Sequence, residues 1–343
     1  MPASESQMYL NTKRDLTINP VTWLITGAAG FIGSHLTEQL LLLDQQVIGL
    51  DNFSTGGVRN LEAIRQSVAD RQWKKFSFIE GDIRDYSVCC DAAKKADFVL
   101  HQAALGSVPR SLQDPISTNG SNITGFLNML TASKECGVRR FCYAASSSTY
   151  GDHSALPKVE DHIGAPLSPY AVTKLVNELY SKVFESCFDF QSIGLRYFNV
   201  FGPRQSRNGA YAAVIPRWID SIKNDDIVVV NGDGLTSRDF CYVENVVEAN
   251  ILAAAAKTDK RSNIYNVALG DRTTLNELAG YLYEAIRESG LLRQPKLVYR
   301  QFRDGDVRHS EADISRIRTE LGYSARIRVK EGIQRTVSWA LSQ

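Results

Sequence analysis

Several patterns that identify common protein classes are missing from this sequence of 343 residues. The formal net charge is only +1 and no block of like charges occurs, so nucleic acid is not an expected partner. All apolar runs fall short of the roughly 18 residues that a membrane span requires, and the polar N-terminus has no signal-peptide core. The sequence therefore predicts a cytoplasmic protein that binds neither nucleic acid nor a membrane.

The cysteines and histidines do not follow metal-binding patterns either. Six cysteines occur without CxxC spacing and five histidines form no cluster, so we expect no metal site and no disulfide framework. What is present is 43% hydrophobic and 22% charged residues, which is typical of a soluble globular protein with a substantial core. At this length we expect two lobes around a cleft.

From Val21 onward, short apolar runs alternate with longer helical patterns. Runs such as VTWLITG, QVIGLDN and DFVLHQAA have the length of buried strands, and their alternation with helices predicts right-handed parallel βαβ units. The predicted fold class is α/β, a doubly wound parallel sheet of Rossmann type over residues 20–201. In residues 202–343 the alternation is less regular, and we expect a smaller mixed lobe that binds the substrate. A segment around 240–268 is expected to return to the main sheet. We expect residues 1–19 to form an N-terminal extension that is either disordered or a short docking helix.

A glycine-rich turn follows the first predicted strand. In VTWLITGAAGFIGSHL, Gly27, Gly30 and Gly33 stand between strand and helix, where the lack of Cβ lets backbone N–H groups approach a pyrophosphate. The next strand ends at Asp51, about where an acidic residue binds the ribose 2′-OH of NAD. Ordinary turn chemistry is the alternative for the glycines, and a strand-end cap is the alternative for Asp51.

The segment SPYAVTK carries a second candidate motif. Tyr170 and Lys174 are spaced i and i+4, on one face of a helix that Ser168 and Pro169 begin. A tyrosine with an ordinary pKa near 10 is a poor base at neutral pH, and we expect the neighbouring Lys174 ammonium to lower the pKa of Tyr170. By itself this pair also occurs by chance on many surface helices.

Together these motifs resemble a known family. The glycine turn, GDIRD, HQAALGSVPRS, YAASSSTYG, SPYAVTK and RYFNVFGPRQ are similar to those of the extended short-chain dehydrogenases/reductases. Within that family the resemblance is to nucleotide-sugar 4-epimerases, and most of all to the bacterial UDP-N-acetylglucosamine 4-epimerases. It runs from about Val21 to the C-terminus.

The resemblance implies tightly bound NAD. The positions that match cofactor contacts in the family lie in the glycine turn, at the ends of the following strands and on the helix of the tyrosine motif. They are Gly27, Gly30, Phe31, Ile32, Gly33, Asp51, Asn52, Asp82, Ile83, Gln102, Ala103, Ala104, Asn122, Tyr170, Lys174 and Tyr197. A position on a helix surface is the alternative for Asn122.

The resemblance also implies the reacting groups. Tyr170 matches the family's base, Lys174 the residue that holds the nicotinamide ribose, and Ser146 the serine that bridges the tyrosine to the sugar O4, with Ser147 or Ser148 able to share that role. Related 4,6-dehydratases carry an Asp-Glu pair where Ser147 and Ser148 stand, and related decarboxylases carry a glutamate in this stretch. The missing acids imply oxidation and re-reduction at C4 alone.

For the substrate the resemblance implies a UDP-sugar. Arg238 and Arg303 match diphosphate partners, although each could instead be a surface arginine. The positions that match substrate contacts are Gly106, Ser107, Ser146, Ser147, Ser148, Tyr170, Asn199, Gln205, Ala213, Val214, Arg238, Arg303, Asp306 and Ser310. A bulky tyrosine matches Ser310 in epimerases confined to glucose and galactose, so the small Ser310 predicts a preference for the N-acetylated sugars.

Other functions stay open at this point. The same scaffold could serve UDP-glucose and UDP-galactose, or UDP-hexuronic acids if Arg204, Arg207 or Arg217 contacted the extra carboxylate. A catalytically inactive NAD-binding regulator is the more distant alternative. The resemblance further implies a homodimer, in which the helix of Tyr170 and the helix near 123–136 pair with their copies.

Overall fold

The computed structural model describes residues 5–206, 213–257, 264–291, 293–302 and 307–343. Its helices are α1 (Gln7–Ile18), α2 (Phe31–Leu42), α3 (Val58–Ser67), α4 (Asp70–Trp73), α5 (Tyr86–Ala93), α6 (Val108–Gln113), α7 (Pro115–Asn119), α8 (Phe126–Glu135), α9 (Pro169–Phe188), α10 (Val214–Lys223), α11 (Val243–Ala255), α12 (Leu275–Glu288), α13 (Ser315–Leu321) and α14 (Val329–Ser342). Its strands are β1 (Thr22–Thr26), β2 (Gln46–Asp51), β3 (Phe76–Glu80), β4 (Phe98–His101), β5 (Arg140–Ser146), β6 (Ser192–Tyr197), β7 (Asn199–Phe201), β8 (Ile227–Asn231), β9 (Ser237–Arg238), β10 (Phe240–Tyr242), β11 (Ile264–Val267), β12 (Thr273–Thr274) and β13 (Lys296–Arg300). A π-helical turn, Gly120–Gly125, leads into α8, and a 3₁₀ turn, Ser147–Tyr150, follows β5.

The predicted doubly wound sheet is confirmed. Seven parallel strands lie in the order β11-β6-β5-β4-β1-β2-β3. Successive side chains of β1 enter different cores: Trp23 and Ile25 pack with residues of α2 and α11, whereas Leu24 packs with residues of α5 and α8. Because helices cover both faces, the strands consist of continuous apolar runs rather than alternating ones.

The direction in which strands are added reverses between β1 and β4. From β1 the sheet grows through β2 and β3, and from β4 it grows the other way through β5 and β6. The loops that follow β1 and β4 therefore diverge and leave a crevice at the carboxyl ends of the strands, which is where open α/β sheets bind ligands.

The second part of the structure consists of short strand pairs instead of one sheet. β7 pairs with β10 and β8 with β13 in parallel, while β9 and β12 are antiparallel. Helix α10 packs on β8 through buried Ile215, Trp218, Ile219 and Ile222, a helical apolar stripe. Strand β11, from the segment that was predicted to return, pairs with β6 in the main sheet.

The N-terminal segment contains a helix. Ser6 caps α1, since its hydroxyl accepts a hydrogen bond of 3.1 Å from the Tyr9 N–H. Tyr9 and Leu16 are buried and α1 contacts α11, so of the two alternatives for this segment the structure shows the docked helix. Across the described ranges, no helix combines the length and the apolar character that crossing a membrane requires.

Candidate active site

The glycine turn after β1 brings two backbone segments into close contact. Gly27 has a φ of 71°, and a Cβ there would lie 2.8 Å from the Ala103 backbone nitrogen. A Cβ on Gly33 would overlap the Gly27 carbonyl oxygen. Helix α2 can therefore begin this close to the turn only because residue 33 is a glycine. The turn forms one wall of a cavity of about 510 Å³ at the carboxyl ends of the strands, which we call the cofactor cavity.

The cofactor cavity contains nearly all the predicted cofactor positions. It is lined by Gly27, Gly30, Phe31, Ile32, Gly33, Asp51, Asn52, Asp82, Ile83, Gln102, Ala103, Ala104, Tyr170, Lys174 and Tyr197, together with Gly106, Ser146, Ser147, Asn199 and Gln205 from the substrate set. Its shape, a glycine turn at one wall and an acidic strand end beside it, fits a dinucleotide.

Asp51 shows how the acidic end of this cavity is organised. Its carboxylate accepts hydrogen bonds from the N–H groups of Ala29 in the glycine turn, at 2.9 Å, and Phe53, at 2.8 Å. Burial raises the pKa of Asp51, against the effect of these backbone N–H groups. Each carboxylate oxygen has further lone pairs, so Asp51 can fix the turn and still accept a ribose hydroxyl.

Asp82, after β3, closes the same end of the cavity. Asn52 donates a hydrogen bond of 2.8 Å to it, and Arg84 pairs with it at 2.7 Å. The Arg84 pairing lowers the pKa of Asp82 to about 2, so this carboxylate is ionised at neutral pH.

The reacting centre lies where β5 ends and α9 begins. Ser168 caps α9 by accepting a hydrogen bond of 3.1 Å from the Ala171 N–H, which places Tyr170 in the first turn and Lys174 one turn later. Ser146 is the last residue of β5, and its side chain lies close enough to the Tyr170 phenol to act against the rise of its pKa. The structure thus brings the three predicted groups together at the wall of the cofactor cavity.

The predicted effect of Lys174 on Tyr170 needs a correction. Burial raises the pKa of the Tyr170 phenol, and only the neighbouring Ser146 side chain acts in the opposite direction. Lys174 Nζ lies 5.9 Å from the Tyr170 ring centroid and donates a hydrogen bond of 2.8 Å to the Ala144 carbonyl. Burial also lowers the pKa of Lys174 to about 8, so the protein's own groups leave Tyr170 a neutral phenol.

Ser148 lies behind Ser146 and lines neither described cavity. Its N–H, at 3.1 Å, and its hydroxyl, at 2.9 Å, both donate to Ser146 Oγ. Ser147 lines the cofactor cavity, and Thr149 donates a hydrogen bond of 2.8 Å to the Ser146 carbonyl. Of the serines in this run, Ser146 and Ser147 therefore face the ligand space.

A second cavity of about 290 Å³, the substrate cavity, adjoins the first at Asn199 and Gln205. It contains the predicted Ser107, Ala213, Val214 and Arg238. One guanidinium nitrogen of Arg238 donates to the carbonyls of Ser237, at 3.0 Å, and Arg308, at 3.3 Å, which fixes this side chain at the cavity wall.

Other predicted residues lie elsewhere. Asn122 is buried in the π-helical turn, where its amide accepts from the Leu105 N–H at 2.8 Å and donates to the Leu105 carbonyl at 3.0 Å, so it holds the loop that lines the cavity. Ser310 donates its N–H to the Ser237 carbonyl at 3.1 Å but lines neither cavity. Arg303 and Asp306 lie outside the described residues.

Sequence reasoning missed a group of lining residues. In the cofactor cavity these include Ser54, Thr55, Leu105 and Ser121, and in the substrate cavity Pro109, Ile215, Trp218, Val229, Asn231, Thr236, Phe240 and Leu275. Val229 and Asn231 are two residues apart and so lie on one face of β8, and Ile215 and Trp218 lie on one face of α10. These periodicities indicate which face is buried, but not that it faces a ligand.

Comparison with known proteins identifies the family. The model of the NAD dependent epimerase/dehydratase family matches residues 23–268. Since this match covers more than half of the sequence, the chain belongs to that family. The resemblance that the motifs indicated and the predicted cofactor, NAD, are thereby confirmed.

Three relatives illustrate the range within the family. A UDP-glucose 4-epimerase from Mycolicibacterium smegmatis is 33% identical, over 92% of this chain and 97% of its own length. The structure of UDP-N-acetylglucosamine 4-epimerase from Methanobrevibacter ruminantium M1 in complex with UDP-N-acetylmuramic acid has a TM-score of 0.85 at 35% identity, covering 94% of this chain and 99% of that one. UDP-glucuronic acid 4-epimerase from Bacillus cereus in complex with UDP-glucuronic acid and NAD has a TM-score of 0.81 at 28% identity, with coverage of 94% and 99%.

Proposed function

We propose that this chain is a UDP-sugar 4-epimerase whose preferred pair is UDP-N-acetylglucosamine and UDP-N-acetylgalactosamine. The observation that carries the proposal is the reacting centre of Ser146, Tyr170 and Lys174, with serines at 147 and 148 where elimination at C5 and C6 would need carboxylates. Such a centre can move a proton at one sugar hydroxyl and has no acid or base for a second carbon.

Tyr170 takes the proton of the sugar O4 and later returns it. The Ser146 hydroxyl, which lies beside Tyr170 at the cavity wall, connects the phenol to O4. Lys174, with a pKa of about 8, is mainly an ammonium at pH 7 and lies at the cavity wall, where it can donate to the hydroxyls of the nicotinamide ribose. NAD, held by the glycine turn and Asp51, would supply the hydride acceptor and donor for C4, with no net redox change, and a positively charged ring that would favour the Tyr170 phenolate.

The sugar must turn over between the two hydride transfers, so the binding energy has to come from the UDP part. The substrate cavity suits this division. Arg238 lies at its wall, and Ala213, Val214 and Ile215 at the N-terminus of the ten-residue helix α10 line it as well. A guanidinium and helix N–H groups are the usual partners of a diphosphate, remote from C4.

We expect Gln205 to accept a hydrogen bond from the group at C2 of the sugar. It lines both cavities and donates a hydrogen bond of 3.1 Å to the Val200 carbonyl, while its buried Oε1 has no partner among the described residues. A buried acceptor without a donor is costly, and either the N–H of a 2-acetamido group or the 2-hydroxyl of glucose and galactose would supply one, so Gln205 does not select between the two pairs. Ala213, also in the lining, is small enough to leave room for the acetyl group.

The test of the proposal is conversion without added cofactor. Purified protein is incubated with UDP-N-acetylglucosamine, and the configuration at C4 is followed by proton NMR. We expect UDP-N-acetylgalactosamine to form, and to form faster than UDP-galactose forms from UDP-glucose. Absence of any C4 inversion with NAD present would refute the activity, and faster turnover of the unacetylated pair would refute the preference.

Ser310 tests the sugar preference separately. Ser310 lines neither described cavity, so its role rests on the resemblance; if a side chain at this position reaches the acetamido space, Ser310→Tyr should suppress the acetylated pair selectively. Ser310→Ala is the matched control and should keep the ratio of the two activities within about twofold. An equal loss on both pairs in Ser310→Tyr would remove Ser310 from the specificity argument.

A uronic acid substrate is the second candidate, and one observation favours it. Arg217 lines the substrate cavity and could pair with a sugar carboxylate. Arg204 instead pairs with Glu38, and Arg207 lies outside the described residues. Turnover of UDP-glucuronic acid that is lost in Arg217→Gln, with the acetylated pair unaffected, would favour this candidate.

The predicted homodimer forms part of the proposal. Helix α9 exposes Val172, Leu179 and Val183, which recur at helical spacing, and Ile116 of α7 is 83% exposed. Apolar stripes of this kind suit a helical interface with a second copy. We expect a dimer by light scattering in wild type and a monomer in Leu179→Glu.

A further inference from the structure

A buried network lies behind the reacting centre, and its members Tyr150, Asn266, Arg196 and Glu178 line neither described cavity. Ser146 begins the 3₁₀ turn Ser147–Tyr150, so the position of its hydroxyl depends on how that turn is held. Tyr150, at the end of the turn, is 2% exposed, and its hydroxyl donates a hydrogen bond of 2.6 Å to Asn266 Oδ1. Asn266 lies in β11, the strand at the edge of the main sheet, and is fully buried.

The Asn266 side-chain amide accepts the Tyr150 bond through its oxygen and uses both of its N–H donors. Its Nδ2 donates to the carbonyls of Lys158, at 2.9 Å, and Asp313, at 3.0 Å, and its backbone N–H donates to Glu160 at 2.9 Å. One side chain thus joins the serine turn, the loop around residue 158 and the segment after Ser310. Since Asn266 is 116 residues from Tyr150, 108 from Lys158 and 47 from Asp313, their relative position depends on this junction.

The Arg196 guanidinium connects the same turn to the helix of the base. It lies 4.8 Å from the Tyr150 ring centroid and forms a bidentate pair with Glu178 of α9, at 2.9 and 2.7 Å. Glu178 is one turn beyond Lys174 on α9. The ring of Tyr150 therefore packs against the guanidinium that holds the catalytic helix, while its hydroxyl reaches Asn266.

We infer that Tyr150 and Asn266 are positioning residues that keep Ser146 in line with Tyr170. They act through the turn rather than on the substrate, and the inference rests on the epimerase activity proposed above. A hydroxyl that bridges base and substrate must hold its geometry to a fraction of an ångström, since a misplacement of about 1 Å can cost about a hundredfold in rate. Anchoring both ends of a four-residue turn provides that accuracy.

Tyr150→Phe is the decisive variant because it removes one hydroxyl and keeps the ring on Arg196. We expect kcat to fall about tenfold, with KM within about threefold and the NAD content unchanged. Tyr323→Phe is the matched control: Tyr323 is equally buried, and its hydroxyl donates a bond of 2.9 Å to the Ala268 carbonyl, without contact to the serine turn. It should lose similar stability and keep kcat within about twofold.

A double-mutant cycle separates positioning from a general loss of stability. If Tyr150 acts through Ser146, then Tyr150→Phe should have almost no further effect on kcat in a Ser146→Ala background. Multiplication of the two effects would overturn the inference. So would an unchanged kcat in Tyr150→Phe.

Amide exchange tests the same inference without activity. Peptides that cover residues 146–151 should exchange faster in Tyr150→Phe than in wild type or Tyr323→Phe, when measured by mass spectrometry on the holoprotein. Unchanged exchange would overturn the role of the hydroxyl. Failure of wild type to epimerise any UDP-sugar, with faster exchange in Tyr150→Phe, would refute the proposed function and leave the anchoring established.

Discussion

The two cavities meet at Asn199 and Gln205, yet they are built in different ways. The cofactor cavity is formed by the loops that follow β1, β2, β3, β4 and β5, all at one edge of a single sheet. The substrate cavity is formed by α6, α10 and α12 with residues from three two-stranded sheets. Parallel pairing alone brings the first set together, whereas the second depends on how separate pieces pack. A substitution in one cavity should therefore change ligand binding in that cavity and leave binding in the other unchanged.

The largest effect should come from the reacting centre in the cofactor cavity. Tyr170→Phe removes the hydroxyl that exchanges a proton with O4, and we expect kcat to fall by about 10³-fold with NAD retained. Turnover is measured by proton NMR on UDP-N-acetylglucosamine. Tyr180→Phe, on the same helix, is the control and should behave as wild type. If Tyr170→Phe kept more than a tenth of the activity, another residue would have to be the base.

The next effect should be confined to the cofactor side. Gly33→Ala places a Cβ on the Gly27 carbonyl oxygen, so the turn must shift, and we expect at least about tenfold less NAD to copurify. Absorbance and enzymatic NAD assays measure this. Gly280→Ala in α12 is the matched control, because a Cβ there meets nothing within 4 Å. It should raise stability by about 0.5 to 1 kcal/mol.

A change on the substrate side should leave the cofactor in place. Arg238→Lys loses the planar fork, and we expect the KM for the UDP-sugar to rise about tenfold or more, with kcat within about threefold. NAD content should equal that of wild type. Arg335→Lys on α14 serves as the control. Loss of NAD in Arg238→Lys would show that the two sides are not independent.

The pH dependence of stability tests the burial of Lys174. Its pKa in the folded protein is about 8 against 10.5 in the unfolded chain, so between these values the unfolded state binds more protons. The contribution of Lys174 to the free energy of unfolding should therefore rise with pH across this window, by on the order of 1 to 3 kcal/mol. Urea titrations of wild type and Lys174→Met measure it. Equal pH slopes in the two proteins would contradict the burial effect.

The smallest effect should come from the loop between the two cavities. Ser107 has a φ of 93°, where glycine is favoured, and it lines the substrate cavity. We expect Ser107→Gly to raise the free energy of unfolding by about 1 kcal/mol, since relief of strain outweighs the added chain entropy. Destabilisation instead would show that its cap of α6, a 3.4 Å bond to the Arg110 N–H, matters more.

Sequence alone predicted the parts that depend on local spacing. The alternation of apolar runs predicted the parallel sheet, the glycines and Asp51 predicted the dinucleotide crevice, and Tyr170 with Lys174 predicted one helical face. Each follows from the geometry of a strand, a turn or a helix, which a few adjacent residues determine. Parallel pairing of the strands then places these local features together at the carboxyl ends of the sheet.

Only the tertiary structure decided the pKa values of those groups and the hydrogen bonds that fix their positions. The pKa of Tyr170 is raised rather than lowered because burial depends on everything packed around it. The amide of Asn122 holds the loop at Leu105, and that of Asn266 accepts a hydrogen bond from Tyr150, which is 116 residues away in the sequence. Desolvation and long-range hydrogen bonds involve neighbours that sequence spacing does not specify, so they become visible only once the chain has folded.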